Sequence, residues 1–304
     1  MRKNSPFKAF SLIELSIVIL VIGVLIAGVM EGKSLVQKSS LNSARALTKS
    51  SPVAGIKDLL LWYETSLAES FTHSQTTDGA TITTWYDINP QSVRKINSTA
   101  YNGITKFKEN IFGNIPGVYF NNYSSLSHSN VSLVGSNFTI FVVEQKQFSL
   151  ISTSFNSIIG GDVVNGTNTS LRIAYTTSTG DTINAGLGHS TGNNILSYTN
   201  AKLTRRVPIM HSLTLSQTVG TKYWFNGGIN PDASGTSSVN KNPLRLTATN
   251  KARIGNFWNI NSSSAYSYNG YVAEYMIFTR DLKDEERIAI EKYLSQKYKI
   301  AITE

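Results

Sequence analysis

Lys8-Ala9-Phe10-Ser11-Leu12-Ile13-Glu14-Leu15 opens an apolar run that continues to Met30, and Glu14 is the only ionisable side chain between Phe10 and Met30. At helical rise this run is roughly 32 Å long, which matches the hydrocarbon thickness of a bilayer. A membrane span is expected here. Arg2, Lys3 and Lys8 precede it with no acidic residue among them. That bias holds the amino terminus in the cytoplasm and sends the remainder outward. The apolar core runs through Gly28, Val29 and Met30 without an A-x-A-like cleavage site, unlike an ordinary secretory signal peptide. A carboxylate near the start of a membrane helix costs a few kcal/mol and calls for a partner. At a helix amino terminus Glu14 also complements the macrodipole.

A short basic leader, a small residue, an aromatic, then Ser11-Leu12-Ile13-Glu14-Leu15 and an apolar helix together resemble the amino terminus of type IV prepilins and type II secretion pseudopilins. The resemblance implies a leader at 1–9, cut by a prepilin peptidase between Ala9 and Phe10, with the new amino group of Phe10 then methylated. Gly is the commonest residue before the cut in that family, and Ala9 stands in its place. Glu14 becomes the fifth mature residue, and its implied role is to neutralise the Phe10 amine of a neighbouring subunit during assembly.

Beyond Met30 the chain turns polar, with Leu35, Val36, Leu41, Ala44 and Leu47 at roughly helical intervals and no proline before Pro52. One helix over 10–51 is expected, ending where Pro52 disfavours helix in the residue before it. From there β-rich runs alternate with Gly, Asn, Ser, Thr and Asp clusters, a pattern that predicts a mainly β fold. The clearest strands are Leu59 to Tyr63, Thr81 to Tyr86, Val118 to Asn121, Phe138 to Glu144, Ser170 to Tyr175, Ile183 to Leu187, Val207 to Leu215, Lys222 to Phe225, Ala252 to Ile254 and Tyr271 to Phe278. So many strands imply two packed sheets. Phe138-Thr139-Ile140-Phe141-Val142-Val143 is apolar at almost every position, as a strand covered on both faces should be. Over 283–298 the pattern is helical, with Asp284, Glu285 and Glu286 in the first turn and Ile290, Tyr293, Leu294 and Tyr298 on one face.

The order of several blocks resembles the concanavalin A-like, laminin-G-like jelly-roll modules of bacterial surface proteins. Leu59-Leu60-Leu61-Trp62-Tyr63 is followed by Thr83-Thr84-Trp85-Tyr86-Asp87, then Ile115-Pro116-Gly117-Val118-Tyr119-Phe120-Asn121. Thr139-Ile140-Phe141-Val142-Val143 comes next, and Asn269-Gly270-Tyr271-Val272-Ala273-Glu274 leads into Leu282-Lys283-Asp284-Glu285-Glu286-Arg287. The family often has Ser-Gly-Asn after its W-x-D element, where this chain has Ile88-Asn89-Pro90. The resemblance implies a β-sandwich over 52–304 closed by the 283–298 helix.

Composition excludes several kinds of chemistry. With no cysteine, thiol catalysis, thiolate metal sites and disulfides are ruled out. The net charge is +9, but Arg2, Lys3 and Lys8 belong to the leader. The remaining Lys and Arg are scattered, a pattern that suits an acidic surface or glycan and does not point to nucleic acid. His73, His128, His189 and His211 form no H-x-x-x-H pair, so zinc is not expected. Retaining glycosidases of the jelly-roll class need two carboxylates about 5 Å apart, commonly as E-x-D-x-E on one strand, and that spacing does not occur. An enzyme is therefore not expected. No cofactor is expected either, although laminin-G-like relatives often hold a single calcium, for which Asp78, Asp162, Asp181 and Asp232 lie in suitable loops.

For a sugar, exposed aromatics flanked by amides are the useful side chains. Trp258, between Asn256 and Asn259, is the best candidate, and Trp224, near a polar loop of its own, is a second. Trp85, within Thr-Trp-Tyr-Asp, reads as core. The expected protein is a pilin-like or pseudopilin-like minor filament subunit. It is held by a single span in the cytoplasmic membrane and displays a lectin-like head for adhesion or glycan recognition. Its implied partners are the prepilin peptidase and methylase, other pilin or pseudopilin subunits, the membrane and a surface glycan. The alternatives are a membrane-anchored glycan hydrolase and a lectin-like surface protein that never assembles.

Overall fold

A computed structural model describes residues 11–121, 123–128, 133, 137–147, 155–161, 170–176, 182–188, 194–199, 206–236, 252–256 and 267–302. The apolar run and its polar continuation form one helix, α1 (Leu12–Lys49). Ser50 caps its end through a backbone N–H to Ala46 O at 3.0 Å, and Pro52 opens a short 3-10 turn. From Leu12 to Val36 every residue of α1 is exposed; the side chains begin to pack only from Gln37 onward.

Among the described residues the head contains strands β1 (Leu59–Glu64), β2 (Thr84–Trp85), β3 (Ser98–Asn102), β4 (Lys106–Phe112), β5 (Ile115–Phe120), β6 (Ser125–His128), β7 (Phe138–Lys146), β8 (Phe155–Gly161), β9 (Ser170–Thr176), β10 (Thr182–Gly188), β11 (Asn194–Thr199), β12 (Ile209–Ser216), β13 (Gly220–Phe225), β14 (Ala233–Gly235), β15 (Ala252–Ile254) and β16 (Gly270–Phe278), followed by α2 (Asp284–Tyr298). One sheet runs β14-β13-β12-β7-β16-β5-β4, and the other β11-β10-β9-β8-β15-β6-β3-β2. β16 is the hub of the first sheet. One of its edges pairs with β7 along its length, while the other is shared, with β5 on Gly270–Val272 and β1 on Glu274–Phe278. All named pairings are antiparallel.

β7 shows why its sequence is apolar at successive positions. Ile140 and Val142 face the second sheet, joining Leu126, Leu171, Ile173 and Ile254 in the intersheet core. Phe141 and Val143 face the opposite way, meeting Ile290, Leu294 and Tyr298 of α2 and Ala44 of α1. The head is thus layered as sheet, sheet and helices, and both faces of the first sheet are dry at its central strands β7 and β16. Trp85 is fully buried against Tyr63 and Phe71, as its sequence context implies. Asp87 accepts the Trp62 and Asn89 N–H groups, both at 2.9 Å, and so ties the loop after β2 to β1.

Candidate functional site

At the lower end of α1, Ser11 is the N-cap. Its hydroxyl accepts the Ile13 N–H at 3.4 Å, and the Glu14 carboxylate accepts the Ser11 N–H at 2.9 Å. This reciprocal capping box satisfies two of the donors a helix start leaves open. The S-x-x-E spacing of Ser11 and Glu14 carries that signal. Ala9 and Phe10 lie outside the described residues. From Leu12 on, α1 meets the length and composition of a membrane-crossing helix.

The upper end of α1 is held by a buried polar cluster. Thr48 Oγ1 bonds Ala44 O at 3.0 Å and lies 3.3 Å from the Tyr293 hydroxyl and 3.5 Å from Ser66 Oγ. Arg45 Nε donates to Ser66 O at 2.8 Å. Behind them Lys297 donates to Glu64 and Glu274, each at 2.9 Å, with both carboxylates and the ammonium out of reach of solvent. Glu64 also accepts the Ser66 N–H and hydroxyl, the Leu67 N–H and the Ser70 hydroxyl. Glu274 accepts Trp62 Nε1 at 2.7 Å and the hydroxyls of Tyr293 and Tyr298. Burial alone would raise the Glu64 carboxyl, but Lys297 and the Ser66 and Leu67 donors hold it below its ordinary value. Burial likewise opposes the Lys297 charge, and Glu274 and Glu64 together push its pKa well above normal.

A second buried carboxylate, Glu144 of β7, faces the other sheet. It accepts the Tyr175 and Tyr268 hydroxyls and lies 3.3 Å from His211 Nε2, whose Nδ1 is 2.7 Å from the Tyr223 hydroxyl. Glu64, Glu144 and Glu274 are each saturated by donors and closed to solvent. His128 is buried between Tyr63 and Tyr275, and among the described residues neither ring nitrogen has a hydrogen-bond partner. Burial lowers its pKa to about 3.

The structure redistributes the sugar-site expectations. Trp224 is 2% exposed and lies under the Arg287 guanidinium, 4.0 Å from the ring centroid. This corrects the reading of Trp224 as an exposed platform: alternate residues of β13 face α2, and the closing helix covers the ring. Asn256 is buried, and Trp258 and Asn259 lie outside the described residues. Of the loop aspartates, Asp78 is paired with Lys108 at 2.9 Å and Asp232 accepts the Phe225 N–H at 2.7 Å. Asp162 and Asp181 are not among the described residues.

Sequence reading missed a cleft of about 520 Å³ where α1 leaves the head. Lys38, Leu41 and Arg45 form the helical wall, and Phe71, His73 and Phe107 belong to the wall of the head. Lys297 was more legible. It stands seven residues after Ile290, on the stripe already assigned to the buried face.

No protein-family model matches the chain, and a search of curated proteins finds no match. Solved structures do share its fold. The receptor binding domain of botulinum neurotoxin D aligns at TM-score 0.52 and 13% identity, covering 79% of this chain and 53% of that one. The binding domain of botulinum neurotoxin DC in complex with SialylT aligns at 0.50 and 9%, covering 78% and 52%. The Trypanosoma rangeli sialidase in complex with sialic acid aligns at 0.51 and 10%, covering 89% and 39%. The chain spans about half the length of the toxin chains it matches. At these identities the likeness is one of fold: the protein is a mainly β, jelly-roll-like sandwich with a long apolar N-terminal helix and a short closing helix.

Proposed function

We propose that this chain is a pilin-like or pseudopilin-like minor subunit, anchored by α1 in the cytoplasmic membrane and displaying a lectin-like head. The observation that carries the reading is the Ala9-Phe10-Ser11-Leu12-Ile13-Glu14-Leu15 motif at the start of one unbroken helix. That helix is apolar and exposed through its lower half and fixed to a sandwich through its upper half. On this reading the prepilin peptidase cuts after Ala9 and the Phe10 amine is methylated. Glu14 then exchanges the Ser11 N–H for the Phe10 amine of a neighbour as subunits assemble. The described carboxylates nearest the centre of the fold are closed to solvent and saturated, which favours binding over hydrolysis. The sandwich architecture, shared with toxin binding domains and a sialidase crystallised with sugars, supports a glycan as the ligand of the head.

The test is intact mass and amino-terminal sequencing of the membrane-extracted chain, from cells with and without prepilin peptidase. A mature chain beginning at methylated Phe10, dependent on the peptidase, supports the reading. A chain that still begins at Met1 in its native host overturns it.

A further inference from the structure

We infer that the neck cleft between α1 and the head is a binding site for an acidic sugar, a uronic or sialic acid residue of a glycan; this rests on the lectin-like reading above. The cleft, about 520 Å³, has the size of a small-ligand site. Its walls come from α1 and the head, which the Arg45–Ser66 and Thr48–Tyr293 hydrogen bonds join. Arg45 shows this most clearly. Its Nε is spent on Ser66 O at 2.8 Å, and Ser66 is itself bonded to Glu64 through both its N–H and its hydroxyl. Among the described residues the two terminal guanidinium nitrogens of Arg45 have no hydrogen-bond or ion-pair partner. A guanidinium so oriented presents a planar fork suited to a carboxylate.

The surrounding groups complete the chemistry of a sugar acid. Lys38, one face along the same helix, adds a second cation with no partner among the described residues, and His73 adds an imidazole opposite. Asn110 and Asn114 line the side formed by the β4–β5 turn, and Asn114 is braced by Ser40 at 3.4 Å. Their amides can donate to and accept from ring hydroxyls. Leu41, Phe71 and Phe107 supply an apolar floor for the C–H face of a pyranose. Glu109 is the single acid on the lining. It opposes an anion and sets a limit on affinity that a substitution can lift. A neutral sugar would leave the Arg45 fork unsatisfied, whereas a carboxylate fills it.

The experiment measures binding by the full chain in detergent micelles, with 3′-sialyllactose and a glucuronic-acid-ended disaccharide as probes and lactose and the glucose-ended disaccharide as neutral controls. The expected result is at least tenfold tighter binding of the acidic member of each pair, weakened by added salt. Arg45→Ala should weaken acidic binding tenfold or more, Arg45→Lys should recover part of it, and Glu109→Gln should strengthen it two- to threefold. Lys38→Glu, at an exposed position with no hydrogen-bond or ion-pair partner among the described residues, tests the site independently of folding and should also abolish the preference. Sugar binding that survives Arg45→Ala and Lys38→Glu but is lost with Trp258→Ala would overturn the cleft and keep the lectin reading. Equal binding of acidic and neutral members would overturn the acidic assignment. Binding of no probe, by a chain whose melting is unchanged, would overturn both.

Discussion

The two halves of α1 follow the same backbone geometry and live under opposite physical rules. Through Met30 the helix is apolar on nearly every side, and as far as Val36 all of its residues are exposed, Leu12 at 86%. A helix apolar all round is a membrane or core helix, and the described head does not cover it. Above Gln37 the helix is polar outside and narrowly apolar inside. It is held by small residues and hydroxyls, Ala44 against α2's apolar face and Thr48 at 2% exposure. The upper half therefore depends on partners supplied by the same chain, and the lower half has the length and composition of a membrane-crossing helix with no such partners among the described residues. Deleting residues 1–33 should break this contrast cleanly. The truncated chain should move entirely from the membrane pellet to the supernatant while the head melts within about 1 °C of the full chain. A melting point several degrees lower would mean that the lower half does contribute to the head.

Acid should separate the halves without a deletion. His128 has a folded pKa of about 3 against about 6.5 in an unfolded chain. Below pH 6.5 the unfolded state takes up a proton that the native state refuses, so stability falls by about 1.4 kcal/mol per pH unit until about pH 3. That amounts to roughly 5 kcal/mol over the window. Glu64 acts in the same direction at lower pH. Its folded pKa is depressed, so its contribution is present above the unfolded value near 4.3 and is lost as pH falls through the folded one. The ionisable groups of the lower half of α1 are Glu14, Glu31 and Lys33, all exposed, with no buried base among them. In micelles at pH 3.5 the near-ultraviolet circular dichroism of the head should collapse while helical far-ultraviolet signal persists, and His128→Phe should flatten the loss between pH 6.5 and 4. Parallel loss of both signals would contradict the separation.

Lys297→Met should cost the head about 3–5 kcal/mol, because it strands two buried carboxylates that the ammonium now neutralises. Adding Glu64→Gln to that variant should recover part of the loss, since one uncompensated charge then remains instead of two. Urea denaturation at neutral pH reads both. Full additivity of the two substitutions would mean that Glu64 and Lys297 do not act as a unit.

Much of this division was legible from residues. The apolar run gave α1, Pro52 marked its end, and the apolar continuity of Phe138 to Val143 correctly placed β7 between two covered layers. Strands of weaker pattern escaped. β4, Lys106–Phe112, alternates poorly because register shifts interrupt its pairing with β5, and β6, Ser125–His128, is buried despite three polar side chains in four. Trp224 misled because a tryptophan beside polar residues reads as exposed, and only the fold shows Arg287 lying on it. The neck cleft was not readable at all, since Arg45 and Phe107 come to line one cleft only through tertiary packing and share no local spacing.

The smallest effect bears on the lower half alone. Ser11→Ala removes the hydroxyl that accepts the Ile13 N–H and should cost about 1 kcal/mol, confined to the first turn of α1. Glu14→Gln keeps an acceptor for the Ser11 N–H but discards the charge. It should therefore disturb the first turn less than Ser11→Ala, yet remove the charge that the proposed assembly requires. Amide exchange in micelles should show faster exchange at the first-turn amides for Ser11→Ala, with the head's melting point unmoved by either change. If Glu14→Gln assembles as well as the native chain, the carboxylate serves only as a helix cap, and the lower half's charge has no partner beyond its own N-cap.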